Sequence, residues 1–332
     1  MTRDTYFGYI HQQLQHSWMH QLHQLHGKHA QKKMSFLFYL YLRFAALVIR
    51  TVARLPGRIT HSAISVRQIP SREAQRTIKT HFYPSTARKK QQEKQKPGPV
   101  LINMHGSGFM IPAHGSDDAF CKYISQETNY SVLDVQYRLA PEYPFPAALD
   151  DVQDVGRWVL EHPEEFDPSR VAISGFSAGG NLALVASSTV FPPDTFRSVL
   201  AFYPSVAAFV DPYTLVPPET GGRPIPAFVL RLFRQAYLQN PQVSIRDPRI
   251  SPSLGDLSRF PRNILCITAG YDNLAVEAEK FCRRLDEDPK RRVVHERMEK
   301  CDHAWDKLAR EGSRGWDMKQ KAYGLAVEML NS

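Results

Sequence analysis

Cysteine is scarce in this chain. Its four cysteines, Cys121, Cys266, Cys282 and Cys301, show neither paired nor metal-like spacing. That excludes a disulfide framework and a cysteine-based metal knuckle, and it fits reduced thiols inside a cell. Long apolar runs are missing too. The strongly apolar stretch 36–49 is 14 residues long and contains Arg43, whereas a bilayer-spanning helix needs about 20. More than 30 largely polar residues precede it, which excludes a classical secretory signal. Acidic residues are rare at the start. Residues 1–98 hold 3 against 17 basic ones, a net of +14, while the remainder holds 30 against 25, a net of −5. The basicity therefore belongs to the N-terminal part. No recognisable nucleic-acid module accompanies it, so nucleic acid is not an expected partner. The run Arg88–Lys96 reads as a solvated loop between two strands.

What is present is chemistry-bearing punctuation between strand-like runs. Residues 171–180 read Val-Ala-Ile-Ser-Gly-Phe-Ser-Ala-Gly-Gly. Gly175, Ser177 and Gly179 fit the G-x-S-x-G elbow, in which a sharp strand-to-helix turn exposes a serine hydroxyl above the end of a sheet. Such a turn strains the backbone and brings strand and helix too close for β-carbons at the flanking positions. The apolar Val171–Ile173 before it and the helix-compatible Asn181–Ser188 after it supply the right context. A phosphate-binding turn is the competing reading, but the lysine and glycine spacing of a P-loop are absent.

A serine hydroxyl attacks poorly until a base takes its proton and donors receive the developing oxyanion. The donors are expected upstream, in a glycine-rich turn after a strand. Val100–Met104 is that strand, and His105-Gly106-Ser107-Gly108-Phe109 the turn. The amides of Ser107, Gly108 and Ala178 are the candidate donors, with His105 and Gly106 shaping the turn. The acid and base should follow the serine in the order Asp or Glu, then His. The strand-like Asn263–Thr268 ends at Ala269-Gly270-Tyr271-Asp272, which makes Asp272 the candidate acid; His303, in a loop before the last helix, is the candidate base. His295 and His162 compete for the role but lie in a strand and near a helix end. Asp302 is an alternative acid, although as the immediate neighbour of His303 it should point elsewhere.

Read together, these segments resemble the hormone-sensitive lipase branch of the α/β-hydrolase esterases and lipases (fold-3 group). The resemblance rests on His105–Phe109, Tyr137-Arg138-Leu139-Ala140-Pro141-Glu142 with the following Pro144–Ala148, Gly175–Gly180, Ala269–Asp272 and Asp302-His303-Ala304, and covers roughly residues 64–330. It implies a mostly parallel central sheet flanked by helices, a helical cap, and ester hydrolysis of short to medium acyl chains through Ser177, His303 and Asp272. No cofactor and no metal are implied; the partner is a small ester or lipid substrate. Two departures stand out. The usual HGGG is HGSG here, so Ser107 would cost about 1 kcal/mol if its φ had to be positive; its side chain could also line the acyl site. The common GDSAGG is GFSAGG, and Phe176 replaces a charge beside the nucleophile with an apolar ring.

Domain organisation follows. One catalytic domain is expected over residues 61–332, with a proline-rich cap insertion at about 205–250 containing a helix at Ala227–Tyr237. Residues 1–60 form a separate helical region. Within it His16, His20 and His23 share a helical face, most simply an exposed polar one. Residues 34–58 form an amphipathic helix with Arg43, Arg50 and Arg54 on one side. That helix suits either a membrane surface or a lid over the active site. The expected location is cytoplasmic, with membrane association through residues 34–58. Two rival functions are a non-catalytic ligand receptor on the same fold and a lipid-interface protein.

Overall fold

A computed structural model describes residues 28–54, 65–86 and 97–332. The candidate histidine face at 16–23 and the basic run at 88–96 lie outside the described residues. The chain falls into two compact units, 1–52 and 53–332. Among the described residues of the first, a helix, α1 (Lys28–Arg54), contains the whole apolar stretch 36–49.

The second unit is built on an eight-stranded sheet: β1 (Ser65–Pro70), β2 (Thr77–Tyr83), β3 (Gly98–Met104), β4 (Ser131–Val135), β5 (Phe166–Phe176), β6 (Ser198–Phe202), β7 (Asn263–Ala269) and β8 (Arg292–Met298), in the order β1-β2-β4-β3-β5-β6-β7-β8. The β1–β2 and β2–β4 pairs are antiparallel, and every other pairing is parallel. β3, β4 and β6 are buried along their whole length. Strands covered by helices on both faces need such near-continuous apolar runs, and Val-Leu-Ile and Ser-Val-Leu-Ala-Phe supply them. The edge strand β1 is mostly exposed.

Helices α2 (Asp118–Glu127), α3 (Ala147–Leu160), α4 (Ala178–Val185), α6 (Ala275–Asp286) and α8 (Arg314–Asn331) accompany the sheet, and the short α7 (Trp305–Leu308) follows the His303 loop. The expected insertion helix is α5, over Ala227–Tyr237 as read from the sequence. The parallel strands all point the same way. Their C-terminal ends, with the turns that follow β3, β5, β7 and β8, gather the chemistry-bearing residues on one side of the sheet.

Candidate active site

The elbow follows from local sequence. β5 runs directly into α4 with only Ser177 between them. Ser177 has φ 53° and ψ −113°, a conformation that L-residues avoid. Its amide donates to the Phe202 carbonyl at 2.8 Å, which pins the turn to β6. The flanking glycines are needed for space: a β-carbon on Gly175 would lie 2.2 Å from the Gly179 carbonyl oxygen, and one on Gly179 would lie 2.0 Å from that of Met104.

The three expected side chains meet. His303 Nε2 is 2.9 Å from Ser177 Oγ, and His303 Nδ1 is 2.7 Å from Asp272 Oδ2. Asp272 is fully buried, and its other oxygen accepts the Leu274 amide at 3.0 Å. The turn that carries it is tied to the histidine loop through Gly270 N–H to Met298 O and Tyr271 N–H to Cys301 O, both 2.9 Å. The competitors are elsewhere. His295 Nε2 lies 3.2 Å from Thr268 Oγ1, and His162 Nδ1 lies 2.7 Å from the Trp158 carbonyl. Asp302 points away from the imidazole, accepting the Arg223 amide at 2.6 Å.

Gly106, Ser107, Gly108 and Ala178 border the same cavity as Ser177 and His303. The condition for strain at Ser107 is not met: the positive φ values fall on Gly108 (54°) and Phe109 (60°). The Ser107 hydroxyl is held by the Tyr137 hydroxyl at 2.7 Å and accepts the Phe109 amide at 2.8 Å. Tyr137 in turn donates to the His105 carbonyl at 2.6 Å, which gives the Tyr-Arg-Leu-Ala-Pro-Glu run a structural task beneath the turn. His105 is buried, its ring stacked on Tyr137 at 4.4 Å. Burial pushes its imidazole down to about 4, against the opposing pull of Asp117.

The cavity measures about 430 Å³ and is walled mainly by apolar side chains, among them Val210, Leu215, Val229, Leu230 and Phe233. Most of these belong to the 205–250 segment, so that insertion covers Ser177. Phe233 lies over Gly108, where a β-carbon would come within 2.3 Å of its ring. Asn181, on the helix that follows Ser177, donates to the Ser205 and Ile250 carbonyls at 2.7 and 2.9 Å, holding both ends of the insertion.

Beneath the elbow lies a feature the sequence reading missed. Asn103 sits in register with Asp134 on β4 and Ser174 on β5. Its amide donates to Asp134 Oδ1 at 2.9 Å and Asp117 Oδ2 at 3.0 Å, while its carbonyl oxygen accepts from the Ser174 hydroxyl at 2.8 Å. Lys307 Nζ forms ion pairs with Asp117 at 2.8 Å and Asp306 at 2.9 Å. The Tyr203 and Tyr323 hydroxyls donate to Asp306 at 2.7 and 2.9 Å. Burial works against the Lys307 ammonium, but the two carboxylates outweigh it and hold its pKa above the ordinary lysine value. The neighbourhood of Phe176 is therefore not simply apolar: its ring stacks on Phe202 at 4.4 Å, and Lys307 Nζ lies 3.4 Å from its centroid. In the sequence Asn103, Asp134 and Ser174 each stand alone in an apolar run, and only the strand register sets them side by side. Among the described residues one group has the makings of a metal site, His81, His114 and Asp134. Burial, reinforced by the neighbouring imidazoles, pushes His114 down to about 3.

Comparison with known proteins places the chain in a family. A family model described as alpha/beta hydrolase fold matches residues 101–307. The chain is 32% identical over 197 residues to the carboxylic ester hydrolase LipN of Mycobacterium tuberculosis, covering 56% of this chain and 52% of that protein. It is 31% identical over 199 residues to an ethyl acetate hydrolase of Pseudomonas putida, covering 57% and 61%. The chain thus spans about half to three-fifths of the length of these curated relatives. Among solved structures, the thermostable carboxylesterase EstE1 from a metagenomic library superposes with a TM-score of 0.70 at 26% identity, covering 87% of this chain and 97% of that one. The hyperthermophilic esterase of Pyrobaculum calidifontis does so with a TM-score of 0.66 at 26% identity, covering 88% and 94%. By its family match, its eight-stranded sheet and these relatives, the chain belongs to the alpha/beta hydrolase fold-3 family of hormone-sensitive-lipase-like proteins.

Proposed function

We propose that the protein is a serine carboxylic-ester hydrolase working through an acyl-enzyme. The observation that carries this is the unbroken chain of short contacts from Ser177 through His303 to Asp272, at 2.9 and 2.7 Å. Ser177 Oγ attacks the ester carbonyl carbon as its proton passes to His303 Nε2. Asp272 fixes the ring with Nδ1–H directed at its carboxylate and favours the imidazolium that forms. The amides of Ser107, Gly108 and Ala178 receive the oxyanion, where preset donors are worth several kcal/mol. His303 then gives its proton to the departing alcohol. Water repeats the sequence and releases the acid. The apolar wall and limited volume of the cavity favour acyl chains of short to medium length.

A fluorophosphonate probe tests the reading. It should label the full-length protein, and Ser177→Ala should abolish both labelling and hydrolysis of p-nitrophenyl esters. A wild-type protein that neither reacts nor hydrolyses any ester in a chain-length series is a ligand receptor on this fold. Hydrolysis confined to long-chain esters would refute the stated preference.

We also infer that α1 contacts an anionic lipid surface. Phe36, Leu37, Leu40, Phe44, Leu47 and Val48 are all exposed, Phe44 at 67% and Leu47 at 62%. At 100° per residue these six project within an arc of about 120°. Arg43 and Arg50 project just beside one edge of that arc, in a region carrying a net +14 over residues 1–98. Cations flanking an apolar face suit acidic headgroups, and no helix among the described residues is long and apolar enough to cross a membrane. Flotation with phosphatidylcholine/phosphatidylserine vesicles should recover the protein at low salt. Phe44→Asp/Leu47→Asp should release it while leaving hydrolysis of a soluble ester unchanged. Binding that is indifferent to these charges, or their effect appearing instead on self-association, would overturn the assignment.

A further inference from the structure

We propose that Lys307 is a positioning residue for the hydrolytic step, which rests on the esterase reading above. Its ammonium touches three separate pieces of the machinery. It pairs with Asp117, at the start of α2, at 2.8 Å. Asp117 shares the Asn103 amide, two residues before the His105 turn. The Lys307 ammonium lies 3.4 Å from the centroid of Phe176, whose next residue is the nucleophile. And it belongs to α7, one turn beyond His303, where it pairs with Asp306 at 2.9 Å. Asp306 is itself fixed by the Tyr203 hydroxyl, and the Tyr203 ring packs edge-on against the His303 imidazole at 4.8 Å. The loop between His303 and α7 makes its bend through a left-handed Ala304 (φ 58°). A backbone held there against its preference needs an anchor on the far side.

The residue types support the assignment. At position 176 the family's acidic residue has become phenylalanine, and a cation stands over that ring. Asp117 and Asp306 both pair with the ammonium, and the same ammonium stands over the Phe176 ring. Removing Lys307 would therefore uncouple the oxyanion turn, the elbow and the histidine loop from one another, not merely delete a charge. A displacement of about 1 Å between reacting groups can cost 10²-fold in rate.

The experiment compares Lys307→Met, Lys307→Arg, the double variant Asp117→Asn/Lys307→Met and the isosteric Asp306→Asn in the full-length chain. Steady-state constants are read per folded molecule, with folding followed by circular dichroism and active sites counted by fluorophosphonate labelling to completion. In the wild type the Asp117–Lys307–Asp306 group carries a net −1, and the double variant keeps that value with the link removed. Lys307→Met and the double variant should lose about 10- to 100-fold in kcat, with KM within about two-fold and probe labelling slowed in parallel. Lys307→Arg should recover most of the loss. The double variant should melt higher than Lys307→Met without regaining kcat, and Asp306→Asn should lower kcat alone. Wild-type kcat per folded molecule in the double variant, or in Asp306→Asn should the lysine variants fail to fold, overturns the proposal and leaves Lys307 a stabilising ion pair. A wild-type protein that does not label at all defeats the esterase reading instead.

Discussion

The space above Ser177 and the layer beneath it are separated by a single turn of chain, yet they are made of opposite materials. Above, the wall is aliphatic and aromatic, contributed mostly by an insertion, and many of its side chains are only half-buried. Below, Asn103, Asp117, Asp134 and Asp306 are packed between strands and helices and all buried, and Lys307 links two of them to the cavity that it also borders. Apolar contacts are non-directional, so a wall residue can change size at modest cost. A buried polar group carries no such freedom, because losing one partner leaves the other desolvated and unpaired. Substitutions above the serine should therefore alter which ester fits, and substitutions below it should alter the rate and the fold.

The largest effect is expected from the acid arm. Asp272→Asn keeps the size of the side chain but removes the carboxylate that accepts from His303 Nδ1. The imidazole can then settle in the wrong tautomer, and kcat should fall by about 10⁴-fold while KM moves little. Steady-state kinetics on a p-nitrophenyl ester checks this. A loss expressed in KM instead would erase the contrast between the two regions.

Next comes a stability effect that belongs to the lower layer alone. His105 titrates at about 4 in the folded protein because it is buried, against about 6.5 when unfolded. Between those two values the unfolded chain binds a proton that the folded chain refuses. Stability is therefore fully present above pH 6.5 and declines as pH falls toward 4, by up to about 3 kcal/mol from this group. Urea unfolding across pH 4.5–7.5 should show the decline, and His105→Gln should make the slope shallower by nearly one proton in that window. An unchanged slope would place the acid sensitivity elsewhere.

The same contrast explains what could be read from the chain. The apolar runs of β3, β5 and β7, the glycines at 175 and 179, and the order Ser177, Asp272, His303 are local patterns, each dictated by backbone geometry or by the chemistry of one turn. The helix at Ala227–Tyr237 was legible because prolines mark its start and an apolar stripe runs along it. The lower layer was not legible. Asn103, Asp134 and Ser174 look like isolated polar residues in apolar strands until parallel pairing sets them side by side. Lys307 looks like a surface lysine until α7 turns it inward. Ser107 illustrates a further limit: the residue types alone left open whether the serine took a positive φ, and the turn places its left-handed positions at Gly108 and Phe109.

The smallest effect expected tests the upper region. Phe233 presses its ring against the Gly108 backbone and so closes the cavity directly over the His105–Phe109 turn. Phe233→Ala would open that wall without removing any hydrogen bond among the described residues. Apolar discrimination between acyl chains differing by a few methylenes amounts to about 1–3 kcal/mol in a hydrophobic pocket. The ratio of kcat/KM for octanoate over butyrate esters should accordingly rise about ten-fold, with kcat on the shorter ester nearly unchanged. If Phe233→Ala instead lowers kcat on every ester equally, the ring is supporting the turn, and the cavity wall is as demanding as the layer beneath the serine.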